Sequence, residues 1–296
     1  MSAGPGSTTS PILVTGSLGT IGRQITAALV AEGRAVRAAD LDPDAIRETF
    51  GDGVTAVGFD FTDSATWASA FDGVQVMFLM RPPQLSNISR DMVPALEAAR
   101  DAGVQHTVLL SLQGAETNKV VPHAKIEAWL RASGRDWTFV RPSFFMENLS
   151  GVHAPDIRDR DEIVVPAGHG ATSFVAAHDV AAVATAALLD PAAHRNRAWT
   201  PTGPAALTYE QVAAILSEAL ERPIRYRRLG ALRYFQHARG TLGMPAAMAG
   251  VTTGIYTVAR LGRAGGLTED VQHVTGRPPL GFAEWADGHR AVWERR

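Results

Sequence analysis

Gly16, Gly19 and Gly22 follow the apolar run Ile12-Leu13-Val14-Thr15 and open a helical stripe of Ile21, Ile25, Ala28 and Leu29. Residues of these types at this spacing can hold an anion. Gly16 permits a tight turn, Gly19 lets a diphosphate approach the backbone, and Gly22 lets the helix start close against the strand. The helix N-terminus adds unpaired N–H groups and the positive end of its dipole. The segment Gly16, Ser17, Leu18, Gly19, Thr20, Ile21, Gly22 is therefore expected to bind a dinucleotide. Its first gap is one residue longer than in the commoner glycine fingerprint.

A second apolar strand, Ala35 to Ala39, ends in Asp40. That is about 20 residues past the glycines, where a carboxylate can accept both hydroxyls of a ribose. The same charge repels a 2′-phosphate, so NAD is expected, while Arg34 and Arg47 on neighbouring loops keep NADP open.

Strands must alternate with helices to carry such a site. Val54–Phe59, Val74–Met80, Val104–Ser111 and Trp137–Val140 read as further strands, with helices at Trp67–Phe71, Ser89–Ala102 and His123–Ser133 between them. The near-continuous apolar character of Val74–Met80 suits a central parallel strand. Six strands alternating with helices predict an α/β fold with a doubly wound parallel sheet, whose ligands sit outside the carboxyl ends of the strands. Beyond about residue 150 the rhythm breaks into short strands and mainly helices. The expected organisation is a flexible leader over 1–10, a dinucleotide-binding domain over 11–150 completed by 172–202, and a mostly helical substrate-binding lobe over 151–296.

The composition narrows the classes of partner. The 296 residues carry a net charge of −2 and 46% hydrophobic residues, and there is no cysteine. That argues against a nucleic-acid surface, a disulfide framework and a thiolate nucleophile or metal site. No run approaches the roughly 18 apolar residues of a membrane span. The expectation is a cytoplasmic protein that takes a small-molecule substrate, neither nucleic acid nor membrane; a homodimer is allowed. No histidine pairs with carboxylates at metal spacing, so no metal is expected.

The stretch Thr15-Gly16-Ser17-Leu18-Gly19-Thr20-Ile21-Gly22 resembles the nucleotide loop of atypical short-chain dehydrogenases/reductases, and of the NmrA-like group in particular. The similarity continues through Asp60-Phe61-Thr62-Asp63, Met80-Arg81-Pro82-Pro83, His123-Ala124-Lys125-Ile126-Glu127 and Arg141-Pro142-Ser143-Phe144-Phe145-Met146-Glu147-Asn148. It returns at Phe174 to Ala181 and at Thr275-Gly276-Arg277-Pro278-Pro279, so nearly the whole chain is covered. The resemblance implies a Rossmann-type domain, a small C-terminal substrate lobe and a nicotinamide cofactor. It implies no single activity, since the group holds reductases of quinones, dyes, imines and phenylpropenes as well as cofactor-sensing regulators.

By the same resemblance Lys125 steadies the nicotinamide ribose and in some relatives serves proton transfer; an ammonium there could also stabilise a developing alkoxide. Asp60 and Phe61 are expected to border the adenine, and Met80, Arg81 and Pro82 to meet the adenosine or diphosphate. Ser111, Pro142, Ser143 and Phe144 are expected beside the nicotinamide. Gln113, Phe145, Met146, Asn148 and His169 are the expected substrate contacts. One departure matters: Val121 stands four residues before Lys125, where typical short-chain dehydrogenases carry a tyrosine. The phenol that would deliver a proton to a carbonyl is missing, and His123, whose imidazole ordinarily titrates near neutral pH, is the candidate replacement. The expected function is an NAD(P)-dependent oxidoreductase passing hydride to or from a small aromatic or unsaturated molecule. A non-catalytic dinucleotide-sensing regulator and a non-redox cyclase or epimerase are the alternatives.

Overall fold

The computed structural model describes residues 10–295, so the leader expected over 1–10 lies, apart from Ser10, outside the described residues. In chain order the elements are β1 Ile12–Thr15, α1 Thr20–Ala31, β2 Val36–Asp40, α2 Pro43–Phe50, β3 Thr55–Gly58, α3 Trp67–Phe71, β4 Val76–Met80, α4 Ile88–Asp91, α5 Val93–Asp101, β5 His106–Leu110, α6 Pro122–Ala132 and β6 Asp136–Val140. They continue with β7 Phe144–Phe145, α7 Glu147–Ser150, α8 Ala154–Arg160, β8 Glu162–Val165, β9 Ala171–Val175, α9 Ala177–Leu189, β10 Arg197–Trp199, β11 Ala206–Thr208, α10 Tyr209–Ala219, β12 Arg225–Arg228, α11 Ala231–Gly240, α12 Ala246–Arg260, α13 Asp270–Thr275 and α14 Phe282–Gly288.

Two compact units share these elements. The first runs to Pro142 and takes in residues 180–200. It holds a seven-stranded sheet in the order β10-β6-β5-β4-β1-β2-β3, with every pairing parallel. The order reverses between β1 and β4, which in an open α/β sheet is where a ligand crevice forms. Ile12 to Thr15 are all buried, as a central strand covered on both faces requires. Phe71, Met77, Leu79, Leu96, Leu109, Ile126 and Phe139 pack one core layer of this unit.

The helix expected over 89–102 is broken in two. Met92, at φ −126°, ends α4 and starts α5, because Pro94 has no N–H to continue the ladder.

The second unit comprises residues 143–179 and 201–295. It carries a three-stranded sheet in the order β11-β9-β7 and the parallel pair β12-β8. Trp285, Trp293, Tyr209, Tyr234, Tyr256 and Phe174 form its aromatic core. Thr208 and Gln211 cap α10 reciprocally, the N-terminal box that their three-residue spacing predicts. Asp179, in the first turn of α9, accepts the Leu280 N–H at 2.7 Å. None of the helices among the described residues is long and apolar enough to cross a membrane.

Candidate active site

The glycine loop is built as a cradle. Gly16 sits at φ +65°, a conformation that L side chains rarely adopt. A Cβ on Gly22 would lie 2.1 Å from the Gly16 carbonyl oxygen, so that residue must be glycine for α1 to start where it does. The methyl end of Met80 lies against Gly16 and Gly19, and the Met80 N–H donates to Thr15 Oγ1 at 3.0 Å. Within the loop Ser17 N–H is spent on Ala39 O and Gly19 N–H on Gly16 O.

Helix α1 starts with neither a side-chain cap nor an acidic residue in its first turn. Its leading N–H groups, at Thr20, Ile21 and Gly22, have no intrahelical partner and form the positive end of a twelve-residue dipole. The Ser17 hydroxyl is fully buried and has no partner among the described residues. An anion at this helix start, with a diphosphate the obvious candidate, would find donors and no acidic residue in the first turn of the helix.

Asp40 closes the cradle from β2. Its Oδ2 accepts the Leu18 N–H at 3.0 Å and its Oδ1 the Leu41 N–H at 2.9 Å. Each carboxylate oxygen keeps a further lone pair for a ribose hydroxyl. The residues present thus fit a dinucleotide.

On the other half of this sheet, α6 presents His123 and Lys125 in its first turns. Lys125 is exposed and, among the described residues, has no carboxylate partner. His123 is different. Burial, reinforced by the Arg81 charge and opposed by Glu127, lowers its imidazole to about 4, and its Nδ1 is buried without a partner. It is a neutral ring at ordinary pH. Ser111 spends its hydroxyl on Glu127 Oε1 at 2.7 Å, and the Gln113 N–H donates to Pro142 O at 3.0 Å.

The chain matches the family model described as "NmrA-like family" over residues 8–260. It is 36% identical to an NAD(P)H azoreductase of Xenophilus azovorans over 289 residues, covering 95% of this chain and 99% of that protein. The chain belongs to the NmrA-like family.

Among solved structures, the NADPH-dependent quinone oxidoreductase of Escherichia coli, complexed with NADPH, is similar in fold with a TM-score of 0.85, at 23% identity over 94% of this chain and 99% of the other. NmrA itself, a negative transcriptional regulator in complex with NADP, gives a TM-score of 0.75 at 18% identity over 95% of each chain.

Other family positions turn inward. Arg81 folds back onto its own loop and donates to the carbonyls of Pro82, Pro83 and Leu85 at 2.9 to 3.0 Å. Asp60 Oδ1 accepts both the N–H and the hydroxyl of Thr62 at 2.7 Å, which shapes its turn. The ring of Phe61 is buried edge-on against Phe59, with centroids 4.7 Å apart, so it packs core instead of facing outward.

In the second unit, Ser143 donates its hydroxyl to Ser173 O, and Phe144 meets Phe174 and Tyr256 at 5.7 and 5.4 Å between ring centres. Met146 is 1% exposed and belongs to that unit's core. Phe145 and Asn148 stay half-buried, and His169 is exposed on its glycine turn near Arg228 and Glu210.

The residues that sequence reasoning missed are Glu127 and Arg141, buried partners at 2.6 and 2.9 Å. A signal was present, because Glu127 falls on the buried stripe with His123, Ile126 and Leu130.

Proposed function

We propose that this protein is an NAD(P)-dependent reductase that delivers hydride to a small conjugated acceptor of the quinone or azo type. The observation that carries the reading is the uncapped start of α1, with its free N–H groups, the orphaned Ser17 hydroxyl and Asp40 beside it. When bound, the reduced nicotinamide supplies a hydride, two electrons and one hydrogen, to the acceptor.

The first unit binds the dinucleotide. The backbone of Gly16 to Gly22 would hold the diphosphate and Asp40 the adenosine ribose, with NAD favoured over NADP because the carboxylate repels a 2′-phosphate. Lys125, without a carboxylate partner, would donate to the nicotinamide ribose. Phe145 and Asn148 are the proposed acceptor contacts.

The acceptor class follows from the proton. Val121 caps α6 where a phenol would serve carbonyl reduction. A quinone that gains hydride leaves as a phenolate, whose conjugate acid has a pKa near 10 and so takes its proton from water. A simple ketone would leave as a far stronger base and need a positioned acid. His123, neutral at working pH, can offer an N–H to the developing anion but is a poor store of a proton.

Loss of NADH absorbance should therefore be fast with quinones and slow with unconjugated ketones. Equal rates for both classes would contradict the assignment. The missing phenol also fits a non-catalytic sensor, and binding of dinucleotide without turnover of any conjugated acceptor would support that second reading.

A further inference from the structure

We propose that Glu127 is a positioning residue that sets the geometry of the nicotinamide end of the site, an inference that rests on the function proposed above. Three segments of the first unit must converge there: Ser111 to Gln113 after β5, Lys125 on α6, and Pro142 after β6. All three are tied to one carboxylate. Glu127 Oε1 accepts Ser111 Oγ at 2.7 Å and Arg141 Nε at 2.9 Å; Oε2 accepts a second Arg141 nitrogen at 2.6 Å and Arg131 at 3.2 Å. Backbone bonds from Ser111 N–H to Val140 O and from Gln113 N–H to Pro142 O complete the tie.

The energetics argue that this clasp is kept for geometry. Glu127 is 1% exposed and Arg141 8%. Burial pushes the Glu127 carboxyl up, yet bonds from Arg141 and Ser111, with the charges of Arg141 and Arg131, hold it below the usual carboxylate range. Desolvating such a pair consumes most of what its attraction returns, and an apolar pair of similar volume is often as stable. Apolar contacts are non-directional, whereas a bidentate Arg–carboxylate fork fixes distance and angle. The fork lies two residues beyond Lys125 and one before Pro142. A shift of α6 against β6 would therefore move the lysine relative to the nicotinamide ribose.

The test compares wild type with Glu127→Gln and with the apolar double variant Glu127→Leu/Arg141→Met. Thermal melting reports the fold and calorimetry the NADH dissociation constant. With folding retained, both variants are expected to raise that constant at least about ten-fold, the worth of one charge-assisted hydrogen bond to the ribose. The KM for NADH should rise with it, while the KM for the acceptor stays within about two-fold. A folded double variant that binds NADH as wild type does would overturn the inference. So would a melting point that falls in Glu127→Gln without any change in NADH affinity. Wild type that binds no dinucleotide would overturn both this inference and the function beneath it.

Discussion

The carboxylate of Asp40 at the end of β2 accepts the N–H of Leu18 at 3.0 Å, so the acid expected to grip a ribose also holds the middle of the glycine loop. Ligand affinity and loop order are thereby joined in one side chain.

Replacement of Asp40 by alanine should raise the NADH dissociation constant about 10- to 100-fold, the worth of one or two hydrogen bonds to a charged group. Asp40→Asn keeps one acceptor and should lose less. In wild type, NADPH should bind at least about ten-fold more weakly than NADH, because its 2′-phosphate meets the carboxylate. Calorimetry with both dinucleotides checks the order, and a preference for NADPH would remove Asp40 from the role assigned to it.

Gly22→Val places carbon against the Gly16 carbonyl, which a Cβ would approach to 2.1 Å. The loop must open or α1 must shift, and NADH affinity should fall by more than about ten-fold. Gly33 is the control: it has φ +68° and nothing within 4 Å of a Cβ. Gly33→Ala should cost about 1 kcal/mol of stability through backbone strain and leave NADH binding unchanged.

Stability should fall as the solution is acidified. Burial lowers His106, His123 and His153 from 6.5 to about 4. Between these values the unfolded chain binds more protons than the folded one. The stability these residues contribute is therefore fully present above pH 6.5 and is lost as the pH falls toward 4. Each can contribute up to about 1.4 kcal/mol per pH unit across that window. Urea unfolding at intervals from pH 7.5 to 4.5 reads the slope. His153→Asn should make it shallower, by up to one proton; an unchanged slope would mean that the folded His153 carries its charge.

Lys125→Met should raise the NADH dissociation constant at least about ten-fold, through the lost charge-assisted bond to the nicotinamide ribose, and lower kcat/KM with a quinone acceptor about 10- to 100-fold. The melting point should stay within about 2 °C, since the side chain is exposed and carries no ion pair among the described residues. Unchanged turnover would end its assignment.

The parallel sheet was legible because glycines, Asp40 and the apolar runs each impose a local geometry that sequence displays directly. Other features depend on distance through the fold. Phe61 and Met146 lie in loops whose spacing resembles a binding motif, yet both are large apolar side chains next to a core with room for them, and burial wins. Arg81 has carbonyl acceptors within its own loop, which a cation reaches sooner than a ligand. The Glu127–Arg141 fork joins residues fourteen apart in sequence and has no motif spacing; only the charge at Glu127 on a buried helical stripe marked it.

The central claim is that the N–H groups opening α1 hold the diphosphate. Backbone amide resonances followed during an NADH titration test it most directly. The largest shifts are expected at Ser17 to Gly22, with Asp40 and Leu41 next, and weaker ones at Lys125. Saturable binding that leaves the amides of Ser17 to Gly22 unmoved would contradict it.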